Sequence, residues 1–288
     1  MNGLTVSLPT PPDFSFAETI KAHGWPQLAP FVWNADAGTL ERAERMSDDC
    51  IVLMTLRDGF VTVSESVDET ELIAKVRRIL QLDVPLDTFH AFCQTRPELA
   101  LIPAQCQGRM LRSPTLFEDV VKVIATVNTT WAQTKAMVGR IVAHFGEPLP
   151  QDPSKRTFPT PERIAAMSFD EFAAAARMGY RNAYVYQIAT AIANKELALE
   201  SWQDEPLAPA DLRKRLLSLP GIGPYGAACL MLYLGRPEHV NVDSWARTLL
   251  GKELGRPVID KEVAVYFEGY GQWRGLVYTF YPWREADL

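Results

Sequence analysis

The 288-residue sequence contains only four cysteines and four histidines, and neither set has the spacing of metal ligands. Cys50, Cys93, Cys106 and Cys229 form no Cys-X-X-Cys pair. Their scatter argues against a zinc site, a four-cysteine iron–sulfur cluster and a disulfide framework. The histidines, at positions 23, 90, 144 and 239, do not predict a transition-metal site either. Because this cysteine usage fits a reducing compartment, we expect a cytoplasmic protein.

Long apolar runs are also missing from the sequence. No stretch of about 18 uncharged apolar residues occurs, so a membrane span is not predicted. The N-terminal residues, MNGLTVSLPTPPDF, lack a basic region followed by an apolar one and do not predict a signal peptide. With 47% hydrophobic and 22% charged residues, the chain has the composition of a globular protein, and it is long enough for two domains.

An overall excess of positive charge, which would favour a polyanionic partner, is absent as well. The net charge is −6, but the acidic residues are unevenly placed. The first 100 residues have a net charge of −7 and the remaining residues a net charge of +1. A local basic face on the later part of the chain is therefore compatible with the composition, and charge alone does not decide the partner.

The first third of the chain predicts an antiparallel sheet with a covering helix. Residues 1–12 contain three prolines and predict an extended lead-in. A strand pattern then runs from Phe14 to about Leu82, with a β-rich run at 50–56, a turn at 57–59 and a second run at 60–63. From Asp68 to Leu82 apolar residues recur at helical spacing. We assign residues 1–87 to this sheet domain.

Beyond Pro85 the strand signals nearly vanish and helical segments follow one another between breaks that contain proline. Helices are predicted over residues 115–128, 131–145 and 181–194, with a loop over residues 147–158. Thr160-Pro161 begins a further helix. Ser168 and Glu171 have the spacing of a capping box and begin another. We assign residues 88–288 to a mostly α-helical domain.

The most informative stretch runs from residue 216 to residue 245, LLSLPGIGPYGAACLMLYLGRPEHVNVDSW. A helix ending near Leu219 and a second helix after Pro224 predict a helical hairpin over residues 211–235, followed by a loop over residues 236–245. Gly221 and Gly223 let the backbone approach a ligand, and the amides that begin the second helix are suited to a phosphate. Ile222 would hold the turn in the core. An ordinary connection between two helices is the plainer interpretation of the glycines alone.

Together these segments resemble the HhH-GPD superfamily of base-excision DNA glycosylases. LPGIGPYGAAC and VNVDSW are similar to its helix–hairpin–helix and catalytic loop. Residues 158–162, FPTPE, and residues 179–181, GYR, resemble two further recurrent segments, and the acidic first third resembles the sheet domain of the 3-methyladenine II and 8-oxoguanine branches. The resemblance implies an α+β fold: an N-terminal antiparallel β-sheet domain followed by a mostly α-helical core, with a cleft at their junction.

Asp243 is the catalytic carboxylate that the resemblance implies. Cleavage of a nucleoside's glycosidic bond builds positive charge on the sugar, and a carboxylate beside C1′ stabilises that charge and orients a water molecule. The base must first rotate out of the duplex into a pocket. The plainer interpretation of Asp243 is an N-cap for a helix that begins at Ser244. Both interpretations can hold, because a cap fixes the position of the carboxylate.

The resemblance implies a pocket for the flipped base that contains Tyr225, Cys229 and Trp273, and these residues also concern the reaction type. Members of the superfamily with lyase activity carry a lysine two residues after the second hairpin glycine, where this sequence has Tyr225. The resemblance therefore implies a monofunctional enzyme that uses water, with Tyr225 stacking on the flipped base or packing in the core. Cys229 matches a pocket cysteine of the 8-oxoguanine branch, whereas Trp273 resembles the alkylation branch. An alkylated purine is the predicted substrate; the alternatives are 8-oxoguanine and a module that binds lesions without cutting.

The expected partner is double-stranded DNA that contains a damaged base, bound by a monomer in the cytoplasm, at the nucleoid if the protein is bacterial. No cofactor is expected, although the backbone carbonyls of Leu217, Leu219 and Ile222 match those that hold a Na⁺ or K⁺ ion in this superfamily. Asn128 falls where the 8-oxoguanine branch has an asparagine that faces the unpaired base. The complete set of predicted DNA contacts is Gly221, Ile222, Gly223, Asn128, Thr129, Thr130, Arg181 and Arg247.

Overall fold

The chain begins with a five-stranded antiparallel sheet in the order β1-β5-β4-β3-β2. A computed structural model of the protein describes residues 3–282, so the outermost residues of the two predicted domains, 1–2 and 283–288, lie outside the described residues. The strands are β1 (Leu4–Ser7), β2 (Val32–Asn34), β3 (Thr39–Arg45), β4 (Ile51–Arg57) and β5 (Phe60–Val63). The predicted sheet and its turn at 57–59 are confirmed, since Arg57 pairs with Phe60 across that turn.

Two parts of the sequence interpretation of this region are wrong. Residues 4–7 of the predicted lead-in form β1, which pairs with β5 at the edge of the sheet. Residues predicted to be strand form helix α1 (Phe16–Lys21), which begins at Ser15, whose side chain accepts a hydrogen bond from the Glu18 amide. Both elements are short, so neither repeats its periodic pattern often enough to be read, and each is stabilised by tertiary packing.

The predicted covering helix is α2 (Glu69–Ile79), and the structure confirms it. The Asp68 side chain accepts a hydrogen bond from the Glu71 amide and caps the helix. Leu72, Val76 and Ile79 form its buried face, in agreement with the helical spacing in the sequence.

The rest of the described chain is mostly helical, which confirms the α+β prediction. The helices are α3 (Asp87–Gln94), α4 (Leu101–Ala104), α5 (Leu116–Thr126), α6 (Trp131–Phe145), α7 (Pro161–Ala165), α8 (Phe169–Ala176), α9 (Arg181–Ala193), α10 (Pro209–Leu217), α11 (Pro224–Tyr233), α12 (Ser244–Leu254), α13 (Asp260–Tyr266) and α14 (Arg274–Phe280). The capping box of Ser168 and Glu171 is present. Part of the predicted loop 147–158 instead forms a hairpin of β6 (Pro148–Leu149) and β7 (Asp152–Arg156). None of the helices within residues 3–282 has the length and apolarity of a membrane span.

Helix α5 lies in the centre of the molecule and contains buried charges. The Glu118 carboxylate accepts hydrogen bonds from the Arg42 guanidinium at 3.0 and 3.2 Å, and the Lys122 ammonium lies 2.7 Å from it. Arg42, Glu118 and Lys122 are all at most 2% exposed. Buried charges are tolerated when they are paired, so this cluster ties β3 to α5.

A second buried carboxylate on α5 positions the segment that follows α1. Asp119 accepts hydrogen bonds from the Trp25 indole N–H and from the Ser113 amide, both at 2.9 Å, and Arg78 lies 3.3 Å from it. These bonds join the first third of the chain to the helical part, and one continuous apolar core includes residues of both. The domain boundary at residue 87 stays a prediction.

Candidate active site

A cavity of about 740 Å³ opens between the segment after α1 and the helices of the second half of the chain. Residues 22–25 form one side, and residues of α11, of the loop before α12 and of the C-terminal end of α14 form the other. Asp243, Tyr225 and Cys229 all line it. Three of the predicted site residues therefore lie in one cavity, at the place where the predicted cleft was expected.

Asp243 occupies the N-cap of α12 and also lines the cavity. Its backbone is extended (φ −133°, ψ −172°), and its Oδ1 accepts a hydrogen bond from the Ala246 amide at 2.8 Å. The N-cap interpretation from the sequence is thus confirmed, and the catalytic interpretation stays a prediction. The cap fixes the carboxylate beside the positive end of the helix dipole.

Tyr225 and Cys229 lie one turn apart on α11 and form a hydrogen-bonded wall of the cavity. The Tyr225 hydroxyl bonds to Cys229 and Thr126, and Cys229 also bonds to Asn241. The neighbouring Cys229 side chain, followed by burial, raises the pKa of Tyr225 well above its usual range. Burial raises the pKa of the Cys229 thiol to about 12. Both groups are therefore neutral at physiological pH, and Cys229 is a thiol and not a nucleophilic thiolate.

The two hairpin glycines have different roles in the turn between α10 and α11. Gly221 has a positive φ of 80°, and a Cβ at this position would lie 2.5 Å from the Tyr184 ring, so the turn and its packing both require glycine. Ile222 is buried and holds the turn in the core. Gly223 is the exposed N-cap of α11, where a Cβ would meet nothing within 4 Å. The side of the turn that is open to a ligand is therefore at Gly223.

Comparison with known proteins finds matches among solved structures. No protein-family model and no curated protein matches the sequence. MBOgg1 in complex with a low-affinity DNA ligand is 22% identical, with a TM-score of 0.75 over 100% of this chain and 97% of that one. The 3-methyladenine DNA glycosylase from Archaeoglobus fulgidus is 19% identical, with a TM-score of 0.74 over 99% of this chain and 100% of that one.

The 8-oxoguanine glycosylase/lyase of Clostridium acetobutylicum in its apo form is also 19% identical, with a TM-score of 0.72 over 98% of this chain and 96% of that one. This chain has the fold of these glycosylases. The resemblance read from the sequence is thus confirmed for the fold over the full length. Both substrate branches are represented at similar TM-scores, so the fold does not choose between them.

In this glycosylase fold, the turn between α5 and α6 contains the predicted opposite-strand residues. Asn128 is exposed and has a positive φ of 49°, Thr129 lines the cavity, and Thr130 caps α6 through the Gln133 amide. Arg181 was predicted to contact phosphate, but it is 8% exposed and donates to the Val127 and Asn128 carbonyls. Arg181 thus braces the turn from inside the protein, and its contact with phosphate stays a prediction.

Trp273 and Arg247 both lie outside the cavity. Trp273 does not line it; its ring packs on Phe89 with centroids 5.4 Å apart and lines two separate depressions near Pro237. The structure thus places Trp273 outside this cavity, and its role in the base pocket stays a prediction. Arg247 lies on the outer side of α12, where it is partly exposed and paired with Asp260, so its contact with DNA stays a prediction.

The carbonyls of Leu217, Leu219 and Ile222 belong to the end of α10 and the hairpin turn. The Leu219 carbonyl accepts a hydrogen bond from the Ile222 amide at 3.1 Å. A carbonyl oxygen has a second lone pair that is able to bind a cation. The ion at this turn stays a prediction.

Several cavity residues were not found from the sequence because they come from distant elements. His23 donates from Nε2 to the Leu111 carbonyl at 2.6 Å and stacks on Tyr233 with centroids 5.2 Å apart. Burial lowers the pKa of His23 to about 4, so the ring is neutral and acts as a flat wall. Trp25 and Tyr278 line the cavity as well. In the sequence, His23 and Trp25 lie in a region that was interpreted as strand.

Proposed function

We propose that this protein is a DNA glycosylase that hydrolyses the N-glycosidic bond of a damaged base in base excision repair. The observation that carries this proposal is the position of Asp243, an N-cap carboxylate in a cavity of about 740 Å³ beside the helical hairpin. The cavity has room for a base rotated out of a duplex. The carboxylate would then stabilise the positive charge that develops on the sugar as the base departs.

The hairpin supplies a means of holding the DNA strand near Asp243. The open N-terminus of α11 at Gly223 presents backbone amides and a positive dipole end, which together favour a phosphate. Because Pro224 has no amide hydrogen, the donors of this turn are the amides of the residues around it. Ile222 keeps this geometry rigid through its burial in the core. Double-stranded DNA bound by a monomer is accordingly the partner in this proposal.

Hydrolysis without lyase chemistry is part of the proposal and rests on Tyr225. A Schiff-base mechanism requires an amine beside C1′, and the position that carries it in lyases is a neutral phenol here. Lys21 lines the outer part of the cavity, where its ammonium is exposed and lies 3.7 Å from Glu18. Trapping with borohydride distinguishes hydrolysis from the Schiff-base mechanism. Lys21→Ala is the control for adducts that form at the Lys21 amine.

An alkylated purine is the substrate that the cavity favours. Alkylation at a ring nitrogen gives the base a positive charge, and the faces of aromatic rings attract cations. The aromatic side chains around the cavity are Trp25, Trp131, Tyr225, Tyr233, Trp245, Tyr278, Phe280 and Tyr281. The likeness to the 3-methyladenine DNA glycosylase agrees with this assignment.

A second candidate substrate, 8-oxoguanine, is supported by a different observation. Cys229 lines the cavity as a neutral thiol, at the position of the pocket cysteine in the 8-oxoguanine branch. The likeness to an 8-oxoguanine glycosylase/lyase agrees with that alternative. The two candidates differ in charge, because 8-oxoguanine is neutral.

Incubation with defined lesions tests the proposal. Duplexes with 7-methylguanine, 3-methyladenine, hypoxanthine or 8-oxoguanine, each opposite cytosine or thymine, are scored for base release and for strand breaks with and without alkali. We expect release of the alkylated purines and strand breaks only after alkali. Breaks without alkali contradict the lyase-free mechanism. Lesion binding without release, unchanged in Asp243→Asn, would instead support a non-catalytic module.

A further inference from the structure

Tyr278 of α14 contacts the carboxylate that the proposed reaction uses. Its hydroxyl lies 3.4 Å from Asp243 Oδ1 and donates to it. The same Oδ1 accepts the Ala246 amide at 2.8 Å. Among residues 3–282, hydrogen bonds from protein donors thus reach Oδ1 of this carboxylate, and Oδ2 is the oxygen left for the sugar or for water.

The Tyr278 ring is itself held in place. The side chain is 7% exposed, and its ring packs edge-on against Phe267 with centroids 5.5 Å apart at 79°. A ring fixed in this way brings its hydroxyl to one position and loses little conformational freedom when it bonds. The separation of 3.4 Å is longer than the roughly 2.7 Å of a typical O–H···O bond. Bonds of this kind in ligand-free sites often shorten when the reacting complex forms.

Within residues 3–282, the side chains whose pKa responds to Asp243 are neutral ones. The titratable groups that face Asp243 are Tyr278 from α14 and Tyr225 and Cys229 from α11. Burial, followed by the negative charge of Asp243, raises the pKa of Tyr278, so the phenol stays protonated and remains a donor. A neutral donor orients a carboxylate and stabilises its negative charge. An ammonium group would instead neutralise that charge.

We propose that Tyr278 is a positioning residue for Asp243: its hydroxyl holds Oδ1 together with the helix cap, so that Oδ2 faces the reacting sugar. This inference rests on the proposed function. It also explains how α14, 35 residues further along the chain, takes part in the site without supplying a reacting group. Loss of the hydroxyl should leave DNA binding intact and impair the chemical step.

The experiment compares Tyr278→Phe with the unaltered protein in single-turnover excision across pH 5 to 9. We expect a rate about tenfold lower at neutral pH, as for the loss of a bond to a charged group, and a fall on the acid side that begins at higher pH. Affinity for DNA with a stable abasic-site analogue should not change. Tyr186→Phe is the matched control, because Tyr186 lies on α9 away from the cavity and its hydroxyl donates a 2.6 Å bond to the Met167 carbonyl.

Amide hydrogen exchange at Ala246 provides a readout that needs no activity. If Tyr278 helps to hold Oδ1, the Ala246 amide exchanges faster in Tyr278→Phe and at its normal rate in Tyr186→Phe. Tyr278→Met, of similar bulk and without the hydroxyl, should repeat the result if the phenylalanine variant folds poorly. A normal rate, pH profile and exchange in folded Tyr278→Phe overturn the inference and leave the proposed function intact. Faster exchange in a protein that excises no lesion supports the contact and contradicts the proposed function.

Discussion

Replacing Glu118 with glutamine removes one negative charge from the buried cluster that joins the sheet to α5. Arg42 would retain Glu44 as a charged partner at 2.7 Å, but Lys122 would lose the carboxylate 2.7 Å from its ammonium and keep neutral acceptors such as the Ser113 hydroxyl at 3.2 Å. Breaking a buried ion pair in this way typically costs about 3–5 kcal/mol, because it leaves a charge buried without compensation. We expect the free energy of unfolding to fall by about that amount.

The pKa of Glu118 gives the direction of the same effect with pH. Burial alone would raise this pKa, but Arg42 and Lys122 outweigh it and lower the pKa from 4.5 to about 2. A carboxyl group whose pKa is depressed by folding stabilises the protein fully above pH 4.5, and this contribution is lost as pH falls towards 2. The difference corresponds to roughly 3 kcal/mol.

Urea unfolding at pH 7 and at pH 3 measures both effects. At pH 7 Glu118→Gln should lose about 3–5 kcal/mol, and the difference from the unaltered protein should shrink at pH 3. Glu205→Gln is the matched control: its pair with Arg215 has the same 2.7 Å separation as the Glu118–Lys122 pair but is partly exposed. An exposed pair contributes about 0–1 kcal/mol. Equal losses in the two variants would refute the reasoning.

Three further predictions concern the cavity and the hairpin. Tyr225→Lys places an amine where lyases carry theirs, so borohydride should trap a covalent adduct with lesion DNA in this variant only; trapping of the unaltered protein contradicts hydrolysis. Because burial lowers the pKa of His23 to about 4, its neutral form stabilises the fold above pH 6.5 and this contribution is lost as pH falls. His23→Gln should therefore flatten the fall in unfolding free energy between pH 7 and pH 5 by roughly 1–2 kcal/mol, and an unchanged slope contradicts this. In Gly221→Ala the added Cβ meets the Tyr184 ring, so the free energy of unfolding should fall by about 1–3 kcal/mol. Gly223→Ala should leave the free energy of unfolding unchanged and weaken DNA binding. Loss of stability in Gly223→Ala with unchanged stability in Gly221→Ala would contradict the conclusion that Gly223 is the side open to a ligand.

Local sequence signals predicted those elements that are stabilised by their own neighbours. Helix α2 with its Asp68 cap, the Ser168 capping box and the turn between β4 and β5 each depend on residues a few positions apart. The capping role of Asp243 was predicted for the same reason, since the cap and the helix it begins lie within one short stretch. Short edge elements such as β1 were missed because their pairing partners are distant in sequence.

Several residues that line the cavity were not predicted, because contacts between distant parts of the chain bring them together and no local sequence pattern encodes such contacts. Trp25 is placed by Asp119, 94 residues away, and Tyr278 meets Asp243 across 35 residues. Arg181 shows a related limit, because its motif gave the residue type but not the burial of the side chain or its bonds to backbone carbonyls. Sequence gives residue type and spacing, but burial decides whether a charged group faces a ligand or the interior.

The most direct test of the proposed chemistry is single-turnover base release by the unaltered protein and by Asp243→Asn on a duplex with 7-methylguanine opposite cytosine. Asparagine retains an oxygen that is able to accept the Ala246 amide, so the cap survives while the negative charge is removed. We expect the variant to bind the duplex normally and to release the base at least about 100-fold more slowly. Equal release by the two proteins would contradict the assignment of Asp243 as the catalytic carboxylate.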